Sequence, residues 1–217
     1  MVDSDLIAKT VEYVKEKMSL DSTGHDWWHV YRVWENAKML MKGEQVNTIV
    51  IELAALLHDI GDYKINNNDL NLSDQLVKKW LNEQNIEKQI IKKVCDIINT
   101  ISFKGARTKG KLISLESKIV QDADRLDALG AIGIARAFAF GGAFKQKMYD
   151  PSMEPIYHNS FLEYMNRETT TINHFYEKLL LLKDLMNTKQ AKSIAIERHR
   201  YMQLFLETFF EETKSKR

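Results

Sequence analysis

An all-α fold is predicted, on three observations. Apolar residues recur at intervals of three and four along most of the 217 residues, the spacing that lines one face of a helix. No stretch alternates apolar and polar residues for long enough to make a half-buried strand. Helix breakers are scarce, with two prolines (Pro151 and Pro155) and nine glycines against 44% hydrophobic residues.

Asp5 to Met18 reads as a first amphipathic helix, with Leu6, Ile7, Val11, Val14 and Met18 on its apolar side and Ser4 or Asp3 as its cap. A second helix is predicted from His25 to about Gly43. Its apolar face carries Val30, Val33, Ala37, Leu40 and Met41, and a polar stripe runs through His25, His29, Arg32 and Asn36. Asn47 to His58 is a third helix, with Ile51, Ala54, Ala55 and His58 in line. An asparagine-rich loop, Asn66 to Asn71, leads to helices over Leu72–Gln84, which Ser73 can cap, and Ile86–Ile101. Ser102 to Lys111 breaks the pattern with two glycines and four basic residues. Leu115 to about Phe140 is predicted as one long helix, ended by Gly141-Gly142. Gly141 to Asn159 holds both prolines and reads as an excursion or lid, and helices over Phe161–Arg167, Ile172–Met186 and Lys189–Thr213 complete the chain.

There is no internal repeat, no low-complexity tract and no boundary between composition regimes, so a single domain is expected. Its core spans about 5–140, its lid about 141–159 and its C-terminal helices about 160–213. The 31 basic and 30 acidic residues leave a net charge of +1. That balance argues against a nucleic-acid polymer or a membrane surface as partner, and any phosphate recognition has to come from local clusters. The one cysteine, Cys95, excludes an internal disulfide, and its place in Ile90–Ile98 is that of a buried core thiol. The start, Met1-Val2-Asp3-Ser4-Asp5, is acidic and lacks a signal-peptide apolar stretch, and no apolar run approaches the roughly 20 residues that span a bilayer. The cytoplasm is the expected compartment.

The chemistry concentrates where the run Leu53 to Leu57 ends in His58-Asp59, followed by Gly61, Asp62 and Lys64. Such a neighbouring pair can offer an imidazole nitrogen and a carboxylate oxygen to one divalent cation. His29 projects from the preceding helix, and the short connection makes the two helices antiparallel neighbours whose imidazoles can converge. A second carboxylate has to come from the Asp122–Asp127 cluster. At roughly 100° per residue, Asp122 and Asp124 lie about 200° apart and cannot both face one site in a regular helix. Asp124 is the ligand chosen, with Asp127 nearby as a supporting or substrate residue; Asp122 takes that place only if the helix starts after it. His25 stands four residues before His29, the spacing of two metal ligands on one helical face, but the glutamate base that accompanies that pattern is absent. His25 is therefore read as a substrate or supporting residue.

His29, the adjacent His58-Asp59 and the distant Asp124 resemble the H…HD…D pattern of the HD-domain metal-dependent phosphohydrolases. His29-Val30-Tyr31-Arg32-Val33 resembles the family's HxxRV helix, and Ala123-Asp124-Arg125-Leu126 its ADxL helix. The segments Gly24–His29 and His58–Asp62 are similar to a narrower bacterial subgroup, the YedJ/YpgQ-like proteins. The resemblance implies an HD-type helical bundle. It also implies hydrolysis of (deoxy)nucleoside triphosphates at the α–β bond, giving a monophosphate and pyrophosphate.

Two imidazoles and two carboxylates suit one divalent ion, Mn²⁺ first, with Mg²⁺, Fe²⁺, Ni²⁺ and Zn²⁺ also compatible. Asp62 lies within reach of water at such an ion and is assigned as general base. Arg32, one turn after His29, Lys64, and Lys104, Arg107 and Lys109 of the basic stretch are assigned to the phosphates of a small nucleotide. The same constellation fits a 5′-nucleotidase or a cyclic-nucleotide phosphodiesterase. From another class, it fits a non-catalytic regulatory module that keeps a metal for stability; Asp62, a reactive group that scaffolding does not require, weighs against that. A homodimer is compatible with everything above. Trp27, Trp28, Trp34 and Trp80 are read as packing residues, His174 and His199 as surface or helix-packing residues, and Tyr157 as a candidate base or sugar contact.

Overall fold

The computed structural model describes residues 2–19, 21–61, 71–101, 114–157, 162–163 and 168–214, and every described element of secondary structure is helical. These residues cluster into two compact units. The division falls between Asp124 and Arg125, inside one helix.

The first unit is built around a helix with no polar face. Helix α3 (Thr48–Leu57) buries Val50, Ile51 and every residue from Leu53 to Leu57, the pattern of a helix surrounded by others. Helices α1 (Val2–Lys17), α2 (Trp27–Leu40) and α5 (Lys88–Ile101) pack against it. Helix α4 (Leu72–Glu83) packs on α5. Tyr13 of α1 stacks on Trp80 of α4 at 4.0 Å between ring centres, while the Trp80 indole donates to Thr10 Oγ1 at 3.1 Å. Polar bonds tie helix α6 (Leu115–Asp127) into this unit: the Asn47 N–H donates to Glu116 Oε1 at 3.2 Å, and the buried Gln121 carboxamide donates to the Ile101 carbonyl at 3.1 Å. Cys95 is buried in α5, as expected.

The second unit comprises the last turn of α6, helices α7 (Gly130–Ala143) and α8 (Thr171–Glu177), a 3-10 segment (Leu179–Leu185) and the 24-residue α9 (Lys189–Glu212). Phe138, Phe175 and Phe205 meet at its centre, with ring centres 5.6 to 6.3 Å apart. Tyr149, from the stretch expected to be a lid, packs edge-on against Phe209 and Phe210.

Three sequence expectations need correction here. The helix expected over Leu115–Phe140 is two helices. After Asp127 the chain tightens, with Ala128 bonded back to Arg125 and Leu129 to Leu126; Leu129 is extended, and Gly130 turns the backbone at φ +72°. A side chain at Gly130 would also press on Arg198, whose guanidinium donates to the Leu126 carbonyl. Nor do Gly141 and Gly142 stop α7, which runs on to Ala143. The helix expected over Ile172–Met186 is likewise an α-helix ending at Glu177 followed by the 3-10 segment. The helix expected over Phe161–Arg167 falls mostly outside the described residues. Among the described residues, no single helix is long and apolar enough to cross a membrane.

Candidate metal centre

Helix α2 begins two residues later than its apolar pattern indicates. Asp26 is its N-cap: the backbone there is extended, and the carboxylate accepts from the His29 N–H at 3.0 Å. His25 therefore precedes the helix and does not share a helical face with His29, which corrects the four-residue spacing read from the sequence. Its ring nevertheless lies edge-on to that of His29, with centres 5.7 Å apart. His29 sits one turn into α2, completely buried.

His58 and Asp59 form the turn that ends α3. Asn47 caps the other end of that helix by accepting from Val50 N–H at 3.2 Å. Gly61 then takes φ +73°, so close to the start of α4 that a Cβ would stand 3.1 Å from the Ser73 nitrogen and from Leu76. Only glycine combines that dihedral with that clearance. The polar pair thus sits between an apolar helix and a glycine packed against the start of α4.

His58 Nδ1 lies 2.8 Å from the Ala55 carbonyl oxygen. A carbonyl can only accept, so Nδ1 carries the proton, and in the neutral ring Nε2 is left with a lone pair. That nitrogen faces His29 Nε2 at 3.1 Å. Asp59 offers Oδ2 to His29 Nε2 at 3.1 Å and Oδ1 to His58 Nε2 at 3.4 Å. From α6, Asp124 Oδ1 stands 3.7 Å from His29 Nε2 and 3.9 Å from His58 Nε2. Asp122, on the same helix, is wholly buried. Burial raises the proton affinity of the Asp59 carboxyl, but the imidazoles of His58, His29 and His25 outweigh it and hold the group well below the usual carboxylate range.

This donor set fits a divalent cation. Ligand atoms bonded at about 2.0–2.2 Å, and about 90–110° apart at the ion, stand roughly 3.0–3.5 Å from one another, which is the range that His29, His58 and Asp59 display. Asp59 Oδ2 is buried and, despite the 3.1 Å approach to His29, has no hydrogen bond of good geometry, a cost that an ion removes. Among the described residues, His29, His58 and Asp59 are the grouping suited to hold a metal.

The other residues singled out in the sequence are distributed as follows. Arg32 is half-buried on α2, one turn beyond His29. Asp127 is buried, and its Oδ2 lies 3.2 Å from Arg136 Nη1, while Arg136 Nε donates to the Gly24 carbonyl at 2.6 Å. Arg125 donates to the Leu185 carbonyl. Asp62, Lys64, Lys104, Arg107 and Lys109 lie outside the described residues. Trp28, read as a packing residue, is 60% exposed, and Tyr157 is exposed as well. His199 is buried in α9, where burial and then Lys183 push its pKa below the usual imidazole value. Sequence reasoning passed over Asp26 as a cap and the Ala55 carbonyl as the partner that fixes His58. The first was signalled by an aspartate just ahead of a helical pattern; the second is a main-chain atom and leaves no signature.

Residues 27–129 match the HD domain family. An uncharacterised protein, YpgQ of Bacillus subtilis (strain 168), is 39% identical over 202 residues, which are 89% of this chain and 87% of that protein. The crystal structure of YpgQ in complex with ADP is similar with a TM-score of 0.76, at 33% identity in the structural alignment, covering 98% of this chain and 97% of that one. A crystal structure from Lactobacillus plantarum gives a TM-score of 0.88 at 37% identity, covering 97% of both chains. That of an HD-superfamily hydrolase from Bacillus thuringiensis gives 0.71 at 43% identity, covering 99% of this chain and 100% of that one. With relatives this similar over almost their whole length, and with two histidines and an aspartate gathered for a divalent ion, the chain belongs to the HD-domain family, among its hydrolases.

Proposed function

We propose that the chain is a metal-dependent phosphohydrolase of small nucleotides, cleaving (deoxy)nucleoside triphosphates to a monophosphate and pyrophosphate. The observation that carries this reading is the convergence of four donor atoms from α2, the end of α3 and α6, with His58 Nε2 held as an acceptor by the bond at Nδ1. The resemblance carried by Gly24–His29 and His58–Asp62 supports the substrate class. So does the ADP bound by the related YpgQ.

In this reading His29, His58, Asp59 and Asp124 hold one divalent ion, with Mn²⁺ favoured. When bound, the ion supplies Lewis acidity: it makes water acidic enough to attack near neutral pH and neutralises charge on phosphoryl oxygens. Asp62 accepts the proton as the water oxygen bonds to the α-phosphorus and the α–β anhydride bond breaks, with pyrophosphate leaving on the bridging oxygen. Arg32, Lys64, Lys104, Arg107 and Lys109 hold the phosphates by charge-assisted hydrogen bonds. His25 contacts the substrate beside His29.

Product analysis tests the proposal. Metal-free protein resupplied with Mn²⁺ and given a mixed nucleotide panel should yield monophosphates and pyrophosphate on chromatography. Asp62→Ala should keep the metal and lose turnover. Orthophosphate as the sole phosphate product would reassign the enzyme to the 5′-nucleotidases, and metal binding without turnover would make it a regulatory module.

A further inference from the structure

Three of the four proposed donor groups are fixed by their own surroundings. His29 follows the Asp26 cap, His58 is bonded to Ala55, and Asp59 adjoins His58 in the turn closed by Gly61. Asp124 differs. Its side chain is 31% exposed, and its distances to the two imidazoles, 3.7 and 3.9 Å, are the longest of the set. Among the described residues no bond holds its carboxylate apart from those approaches, so its position follows that of α6. A side chain on the helix that carries His29 bonds directly to α6. Asn36 lies seven residues after His29, which is two turns along the same face of α2, and its carboxamide Nδ2 donates to the Ala123 carbonyl at 3.3 Å. Ala123 is the residue immediately before Asp124.

We infer that Asn36 is a positioning residue for Asp124: its amide fixes how α6 is turned and how far it has slid along α2, and so completes the fourth corner of the metal site. The inference rests on the metal reading above. The bond joins the ligand-bearing helices directly, since one end is on the helix of His29 and the other is on the peptide preceding Asp124. Helix α6 also carries the Gln121 bond to Ile101 and the Glu116 bond to Asn47, but these tie it to α5 and to the cap of α3, away from His29. With Asn36 removed, α6 stays in the unit, and the directional bond between the peptide preceding Asp124 and the helix of His29 is lost.

The test is a double-mutant cycle read by Mn²⁺ affinity, in titration calorimetry or by the free-ion resonance signal, with no substrate present. Asn36→Leu keeps the volume and removes the donor. It should weaken Mn²⁺ binding about fivefold, the worth of one net hydrogen bond. Asp124→Asn should weaken it further, and adding Asn36→Leu to that variant should change nothing more, because the group through which Asn36 acts is already disabled. Thermal unfolding of the metal-free Asn36→Leu protein should stay close to that of the parent, which separates mispositioning from general loosening. Equal fivefold losses in both backgrounds, or no loss in either, would overturn the inference while leaving the metal reading intact. Absence of Mn²⁺ binding by the unaltered protein would overturn both.

Discussion

Both units bury titratable groups, and they do so in opposite ways. In the C-terminal unit two buried carboxylates have neighbours of complementary kind: Asp127 meets Arg136, and Glu177 accepts from Thr169 at 2.8 Å and from the Ile156 N–H at 3.2 Å. In the N-terminal unit the Nε2 atoms of His29 and His58 and the carboxylate of Asp59, all metal-ligand atoms, crowd together at 3.1 to 3.4 Å. Complementary pairs close on themselves and hold a fold together. Clustered acceptors are unfavourable by themselves and become favourable with a cation among them. Burial of charge therefore does not mark a site; convergence of groups that want the same partner does.

The contrast is tested most severely by removing one group from each side. His58→Ala should cut Mn²⁺ affinity by at least roughly 100-fold while leaving the metal-free protein as stable as before, or more so, since one crowded acceptor is gone; calorimetric binding and denaturant unfolding give the two readings. Arg136→Met should do the reverse in the other unit. It takes the cation away from the buried Asp127 carboxylate and should lower stability by about 3–5 kcal/mol in chemical denaturation, with much of the loss recovered when Asp127→Leu is added.

Smaller substitutions sharpen the comparison around the centre. Gly61→Ala places a side chain at φ +73° against Ser73 and Leu76, and a loss of about 2 kcal/mol is expected, with weaker Mn²⁺ binding because the turn carries His58 and Asp59. Asp26→Ala removes the cap that holds the His29 N–H and should cost about 1 kcal/mol in the same denaturation experiment. The smallest effect concerns Cys95, whose thiol is pushed up to about 11 by burial and then by the Asp74 carboxylate. The folded state holds that proton more tightly than the unfolded chain does. The thiol's contribution is therefore complete below its ordinary value near 9 and is lost as pH rises towards 11. Between pH 8 and pH 10.5, the urea midpoint of the parent should fall slightly more than that of Cys95→Ser.

Helix α3 and the His58-Asp59 pair were legible because the signal was local: a run of apolar residues with no polar face, then two adjacent metal-ligand types. The placement of Asp124 within 4 Å of both imidazoles was legible through helical angles, since α6 begins at Leu115 and carries Asp122 and Asp124 on different sides. The break after Asp127 was not. Leu126, Leu129 and Ile134 continue a helical rhythm across it, and what interrupts the helix is the positive φ of Gly130 beneath Arg198, a long-range packing fact. The start of α2 was misread for the opposite reason. His25 fits the stripe of His29 and Arg32, yet Asp26, a strong capping residue, stops the helix from reaching it. Trp28 was read with the other tryptophans as a packing residue, and it is exposed on α2.

The bond from His58 Nδ1 to the Ala55 carbonyl links backbone order to protonation chemistry. That oxygen points at the ring only while the final turn of α3 stays wound. If the turn frays, nothing dictates which nitrogen keeps the hydrogen, and the tautomer with Nε2–H would present a donor where a cation requires an electron pair. Slow-exchanging amides at the end of α3 would thus report on ligand competence as well as on helix stability, and a distant change that loosened this one turn could silence the centre without touching any residue in it.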